Sequence, residues 1–403
     1  MTTAPQSRLP FIFILATLTL DAMGIGLILP VMPDLIRDID GGGISDAALW
    51  GGILATVFAV MQFLFGPFLG SLSDRYGRRP ILLISLLVMA VDYVVMAVAG
   101  TMWLLLAARI VGGITAATQA TAAAYIADIS PPDKKAQNFG LVGAAFGAGF
   151  VFGPMIGGLL AEFGHRAPFY AAAGLATLNL IFGYFVLPET VTDRIRRPFT
   201  WGRANPFGSF KALSKLSGVG RLLLLVLIYE FAFIVYPATW AYFTQERLGW
   251  EPAMVGISLA SFGISMALVQ GFLIRWIIPK FGMRRTITYG FCFNFLAFLV
   301  LTMLDNGLAV LLFTPITALG AVVTPALQGM LSRKADDNQQ GELQGVIAST
   351  KSVAMILSPL VMTQIFYIFT QPGNFYLPGA AFGLSALLMV VCLIVFVTRG
   401  KSA

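Results

Sequence analysis

Twelve apolar stretches, each about the length of a bilayer-crossing helix, follow one another along the chain between short polar breaks. They are drawn at residues 10–32, 48–71, 80–100, 102–127, 137–160, 167–187, 221–244, 253–274, 286–304, 307–331, 343–368 and 377–398, and are numbered spans 1 to 12. The pattern predicts an all-α membrane protein. Within span 1, the segment LTLDAMGIGLILP sets Asp21 in an otherwise apolar run, and that carboxylate needs a reason to be there.

Composition agrees with the pattern. The 403 residues are 58% hydrophobic and only 11% charged, with a mean hydropathy of +0.83, which excludes an ordinary soluble protein. The net charge of +7 reports topology and attraction to an anionic inner leaflet, and calls for no nucleic acid. Arg8, Arg75, Arg78, Arg79, Lys134, Lys135, seven basic residues between 188 and 221, Arg275, Lys280, Arg284, Arg285, Arg333, Lys334, Arg399 and Lys401 fall on one side. The other side has only Arg37, Arg166 and Arg247, so both termini are expected in the cytoplasm. Span 1 lacks a small-residue cleavage pattern and is read as a retained helix. Cys292 and Cys392 lie within spans and are expected as free thiols. His165, the only histidine, is expected at the surface of an outer loop, with no second metal ligand near it.

The chain repeats itself. DRYGRRP before span 3 pairs with PKFGMRRT before span 9, QNFGLVGAAFG with ELQGVIASTKS, and FGPMIGG with LSPLVM. Gly77 and Gly282, Gly140 and Gly345, and Pro154 and Pro359 therefore share one offset, close to half the chain length. Two six-helix repeats in the same orientation follow, residues 1–187 and 221–403, with 188–220 as a basic cytoplasmic linker. A substrate site is expected between the halves near the midplane.

Charged groups inside spans cost about 2.5–3.5 kcal/mol each on insertion scales. Counting the helical rise from the cytoplasmic face, Asp21, Asp92, Arg109, Glu230, Asn294 and Lys351 all lie at about 12–20 Å, so they share a level. A carboxylate in a partly desolvated cavity can alternate between protonated and charged forms, the chemistry of a proton-coupled carrier. The alternatives are fixed ion pairs, Asp21 or Asp92 with Arg109 in the first half and Glu230 with Lys351 in the second. In the loop GSLSDRYGRRP, Gly70 and Gly77 permit close approach and a tight turn, while Asp74, Arg75, Arg78 and Arg79 can join helix ends. Asp128 closes span 4, where the helix dipole disfavours an anion, so it is expected to take one of those arginines and complete a cytoplasmic gate. The glycine-rich GAAFGAGFVFGPMIGG contains Gly143, Gly147, Gly153, Pro154 and Gly157, residues suited to close helix contact and a bend. No P-loop, nucleophile elbow or paired-histidine metal motif occurs, which points away from an enzyme, an ATPase or a resident cofactor and leaves an ion gradient as the power source.

On these residues the chain resembles the major facilitator superfamily, and within it the drug/proton antiporters, most closely the bacterial tetracycline/divalent-cation:proton antiporters. The loop GSLSDRYGRRP matches the superfamily signature G-x-x-x-D-R-x-G-R-R, and GAAFGAGFVFGPMIGG looks like the antiporter motif of span 5. LDAMGIGLILPVMP, SLLVMAVDY, PATW with FTQERLGW, PALQGM and QQGELQG carry the resemblance to the tetracycline group. It implies a twelve-helix inner-membrane carrier that exports a tetracycline-like drug, as a chelate with a divalent metal such as Mg²⁺, in exchange for protons. Asp21, Asp92 and Arg109 are then transport-critical, and Asp74, Arg75, Arg78 and Asp128 belong to the gate. The family's span-9 aspartate is Asn294 here, and Asn cannot take up and release a proton near neutral pH. Coupling therefore runs through Asp21 and Asp92, or Glu230 has taken the part. The rival expectation is proton-coupled transport of another drug or metabolite on the same fold. Either needs only a monomer in the bilayer.

Overall fold

The computed structural model describes residues 9–116, 118–131, 134–193, 196–202, 204–208, 216, 218–336 and 339–398. Arg8, Arg399, Lys401 and the linker's Arg194, Arg203, Lys211 and Lys215, all used above for topology, lie outside the described residues. The described residues form helices joined by short loops: span 1 is Leu9–Ile28, span 2 Ile44–Tyr76, span 3 Arg78–Val98, span 4 Met102–Ala116 with Thr118–Ile129, span 5 Lys135–Leu160 and span 6 Ala167–Val186. Span 7 is Gly220–Phe233 with Val235–Leu248, span 10 Gly307–Thr317 with Val323–Ser332, span 11 Gln340–Thr370 and span 12 Ala380–Val397. Spans 8 and 9 run together as Pro252–Leu268 and Ile274–Met303, and Gly282 (φ 75°, ψ 160°) is the corner that makes them two crossings.

Three departures from regular helix follow from proline. Span 1 was drawn to residue 32, but its helix stops at Ile28; Pro30 follows, and Pro33 opens a separate short helix, Met32–Asp40. Pro237 cannot donate to the carbonyl of Phe233, and span 7 is interrupted at Ile234. Pro325 likewise cannot donate to Ala321, where span 10 tightens into a 3₁₀ segment, Ala318–Val322. Within span 8, before the Gly282 corner, Val269–Leu273 is wound as a π-helix.

The first six spans meet the last six through span 5 on span 8, and span 2 on spans 7 and 11. Small residues make these contacts and pack span 5 on span 1 within the first six. Along span 5, Gly149, Gly153 and Gly157 lie against the backbone of span 1 at Thr19, Met23 and Leu27, and a Cβ on Gly153 would sit 2.6 Å from the Met23 carbonyl oxygen. The neighbouring face of span 5 serves span 8: Pro154 meets Gly256, and Gly158 meets Pro252 and Ala253. Span 2 reaches across at Ser45 to Thr370 (2.7 Å), at Gly52 to Thr363 and at Thr56 Oγ1 to the carbonyl of Ile356 (2.9 Å).

The contacts between the first six spans and the last six lie in the half of the molecule away from the arginine loop. In the other half, Cβ atoms built on Gly66, Gly70, Gly140, Gly143, Gly147, Gly271 and Gly341 would meet nothing within 4 Å. The twelve helices are closed on one face and splayed on the basic face. The linker partly fills the splay, with Phe199 and Trp201 packed on Phe68, and Phe207 on Phe63.

Candidate functional site

The mid-span polar residues gather as two groups, one in each set of six spans. In the first, Arg109 of span 4 places Nη2 3.5 Å from Asp92 Oδ2 of span 3, donates to Met96 Sδ and lies 5.3 Å over the Phe58 ring of span 2. Both charged residues are buried, and a Cβ on Gly112 would sit 2.7 Å from Asp92 Oδ2, so a glycine there lets the carboxylate reach the guanidinium. Arg109 thus has its carboxylate partner. Asp21, on span 1, has none: it makes no ion pair among the described residues, and its Oδ1 is buried without a hydrogen bond. Between them stands Tyr93, buried, within electrostatic reach of Asp21, Asp92 and Arg109. Tyr93 went unnoticed in sequence; its position beside Asp92 in SLLVMAVDY was the available signal.

In the second group, Lys351 Nζ of span 11 lies 2.8 Å from Glu230 Oε1 of span 7, with the side chains 29% and 19% exposed. Asn294 belongs to neither group. It is fully buried, and its Nδ2 donates to the carbonyls of Gly290 (2.8 Å) and Gly320 (3.0 Å), so it does not face the space between the halves. Gly320 lies in the 3₁₀ segment of span 10, and its lack of a side chain is what admits the Asn294 amide.

The loop between spans 2 and 3 is built as a fork. Arg78 pairs with Asp74 (2.6 Å) and Asp128 (3.3 Å) and donates to Ser73 Oγ (2.6 Å), which joins spans 2, 3 and 4 at the basic face. Glu189, after span 6, accepts from the backbone N–H groups of Arg78 (2.9 Å) and Arg79 (3.2 Å), capping the start of span 3. Gly77 takes φ +114° at this corner, and a side chain there would collide with Glu189. Arg79 donates to the Tyr184 carbonyl, while Arg75 lies over the Tyr76 ring. Gly70 lines the open side of span 2. Glu189, Thr190 (3.2 Å to Asp128) and Ser73 complete this junction and were not anticipated.

On the closed face, Gln245 Nε2 of span 7 donates to Asp34 Oδ2 (2.9 Å) across the two sets of spans. His165 lies 2.9 Å from Asp38 Oδ2, a bonded position where a plain surface side chain was expected. Burial pushes the Asp34 carboxyl above the usual carboxylate range, with His165, the Gln245 bond and Arg37 pulling it back. Asp34, Arg37, His165 and Gln245, with Glu162, Trp250 and Glu251, line a pocket of about 420 Å³ on this closed face. Cys292 is exposed and Cys392 buried, both as free thiols. Among the described residues, no group of three or more His, Cys, Asp or Glu side chains is placed to hold a metal ion.

Twelve spans closed on one face, with charged groups at mid-depth, have the form of a carrier, and comparison with known proteins agrees. The sequence pattern of the Major Facilitator Superfamily matches residues 14–359. The chain is 42% identical to the class C tetracycline resistance protein of Escherichia coli, over 96% of each chain, and 37% identical to the class G protein of Vibrio anguillarum, over 93% of each. Among solved structures, the human organic anion transporter MFSD10 (TETRAN) superposes with a TM-score of 0.70 at 26% identity, covering 98% of this chain and 100% of that one. With matching sequence along nearly its whole length and twelve spanning helices to carry it, the chain belongs to the Major Facilitator Superfamily of membrane transporters and, within it, to the family of the tetracycline resistance proteins.

Proposed function

We propose that this protein exports a tetracycline-like drug, carried as its divalent-metal chelate, in exchange for protons. The observation that carries the reading is the 42% identity to a tetracycline resistance protein across 96% of both chains. The metal, Mg²⁺ for example, travels as cargo with the drug, and no resident cofactor takes part. The basic face is the cytoplasmic one, both termini lie there, and the membrane is the bacterial inner membrane.

The mechanism is alternating access between halves 1–187 and 221–403, joined by the linker 188–220. In the conformation described above the drug enters from the cytoplasm, between the splayed spans. Asp21 is a carboxylate without a cation beside it, able to bind either a proton or the cationic chelate but not both, and such competition gives exchange. Asp92 and Arg109 hold each other as a neutral unit next to it, and Tyr93 fills the gap. The Arg78 fork with Asp74 and Asp128 keeps spans 2, 3 and 4 moving as one body at the cytoplasmic gate.

A second reading, export of a different drug, is favoured by one departure from the family pattern, the replacement of its span-9 aspartate by buried Asn294. One assay tests both. Inverted membrane vesicles energised by a pH gradient should accumulate tetracycline in the presence of Mg²⁺, and Asp21→Asn should abolish that accumulation. If folded, inserted protein moves no tetracycline, that substrate is wrong and the second reading stands.

A further inference from the structure

Glu230 and Lys351 sit at mid-span, 2.8 Å apart, on helices that pack against each other within the last six spans. Among the described residues few other charges surround them, and span 2, packed on span 11, carries none between Asp46 and Asp74. Span 12 and the Val323–Ser332 part of span 10, both packed on this part of span 7, carry no charged residue. Span 11 adds only Glu342, in its first turn, and span 9 holds its arginines, Arg284 and Arg285, at the basic end. The remaining titratable neighbours are the hydroxyls of Tyr229 and Tyr236. Among the described residues, each member of the pair is therefore the other's only close counter-charge. The register also turns Lys351 toward span 7. Ser358, two helical turns along the same stripe, donates to the Phe231 carbonyl at 2.6 Å, and Ala354 between them is fully buried.

Resting on the export reading above, we propose that Glu230 is a proton-coupling carboxylate of the second half and that Lys351 is the cation that expels the drug. With Glu230 ionised, the pair is neutral and the cavity tolerates a cationic chelate near Asp21. When Glu230 takes up one proton, its carboxylate becomes a neutral acid and Lys351 is left as an uncompensated ammonium in a medium of low dielectric. A cationic drug and that ammonium cannot share the cavity, so protonation from outside drives release outside. Return to the cytoplasmic face lets the proton leave, restores the pair and readmits the drug. Asn294 does not serve this role, because it has no proton to exchange and its amide is committed to two backbone carbonyls.

The test uses full-length purified protein with tetracycline and Mg²⁺ as the probe, and compares Glu230→Gln, Lys351→Met and the double variant. Glu230→Gln mimics the protonated state with Lys351 exposed, and affinity for the chelate should fall at least tenfold. Adding Lys351→Met removes the unpaired charge. The double variant should recover affinity and gradient-independent counterflow, yet release one proton fewer per drug bound, measured with a pH-sensitive dye, and concentrate drug less steeply under a pH gradient. Since the double variant buries no lone charge, loss of folding in a single variant does not decide the matter. A double variant with the proton release and the uphill accumulation of the unaltered protein would make the pair a structural tie and overturn the inference alone. Failure of the unaltered protein to bind the chelate would overturn the export reading, and this inference with it.

Discussion

The α-carbon of Gly256 on span 8 packs on the carbonyl of Pro154 on span 5, so close that a Cβ at position 256 would collide with it. This backbone-to-backbone contact closes the outer face. Gly256→Val should cost this conformation about 1–3 kcal/mol, as overpacking does at tight helix contacts, without touching the mid-span charges. Because the clash vanishes once the halves part on that side, the equilibrium should shift toward the outward-open form, about thirtyfold in the middle of that range. A cysteine placed at Thr370, which bonds Ser45 across the same face, reads the shift. A membrane-impermeant maleimide added outside should label it several-fold faster in the Gly256→Val background. An unchanged rate would show that this contact does not hold the outer face shut.

The outer face is also expected to respond to pH. Asp34 accepts a hydrogen bond from Gln245 across the halves, and burial raises its pKa in this conformation. A carboxyl with a raised pKa binds protons more tightly here than in a conformation where it is solvated. The closed form is thus favoured at low pH, and that advantage is lost as pH rises through the raised value. Arg37, Asp38 and His165 face the same carboxyl and act on it, His165 and Arg37 by lowering its pKa and Asp38 by raising it. Labelling of the Thr370 cysteine from outside, taken at each pH relative to a freely exposed thiol because the thiolate is the reacting form, should slow as external pH falls toward the carboxylate range. Asp34→Asn, which keeps a hydrogen-bonding partner for Gln245, should flatten that dependence, and a slope unaltered by the substitution would assign it to another group.

Much of this architecture is legible in the amino-acid sequence. Span boundaries fall within a few residues of the drawn ones because the apolar run of a spanning helix is set by bilayer thickness, a local property of sequence. The Arg78–Asp128 pair was legible for a different reason: an anion at a helix C-terminus needs a cation, and the candidates shared its membrane face. Depth counting put Asp92 with Arg109, and Glu230 with Lys351, within reach of each other. Glu189 and Tyr93 were not legible. One caps a helix about a hundred residues earlier in the chain, and the other lies between charges from three spans; neither relation leaves a periodic trace. Asn294 was placed at the right depth, but depth says nothing about which side of a helix faces a cavity. Its burial depends on the 3₁₀ segment of span 10, which offers the Gly320 carbonyl.

That burial makes Asn294→Asp informative. Placing there the aspartate that the resemblance implies should not supply proton coupling, since the new carboxylate would exchange two donated hydrogen bonds for two facing carbonyl oxygens. Loss of a buried donor with its acceptors left unmet costs about 1–3 kcal/mol. The variant should melt at lower temperature in detergent and accumulate drug no better than the unaltered protein. A gain in protons released per drug would instead show that this position opens to water during the cycle.

The linker should report on the same motion from the cytoplasmic side. Phe199 and Trp201 pack with Phe68 of span 2 at ring separations of 5.3–6.2 Å, on the part of that helix left uncovered by the splay. Trp201 is nevertheless 76% exposed, so the cluster holds the linker by one face only. Aromatic pairs of this kind contribute about 0.5–1.5 kcal/mol beyond their buried area, enough to bias a surface segment without locking it. Arg196, just before the cluster and followed by Arg197, is a trypsin site on the basic face, the one exposed in inverted vesicles. Phe199→Ala with Trp201→Ala should release the segment and raise the cleavage rate there several-fold, in proportion to the lost packing energy. Conditions that close the cytoplasmic side should do the same to the unaltered protein if spans 2 and 11 then take the surface the linker occupies. Protection unchanged by both would show that the linker is held elsewhere along its length.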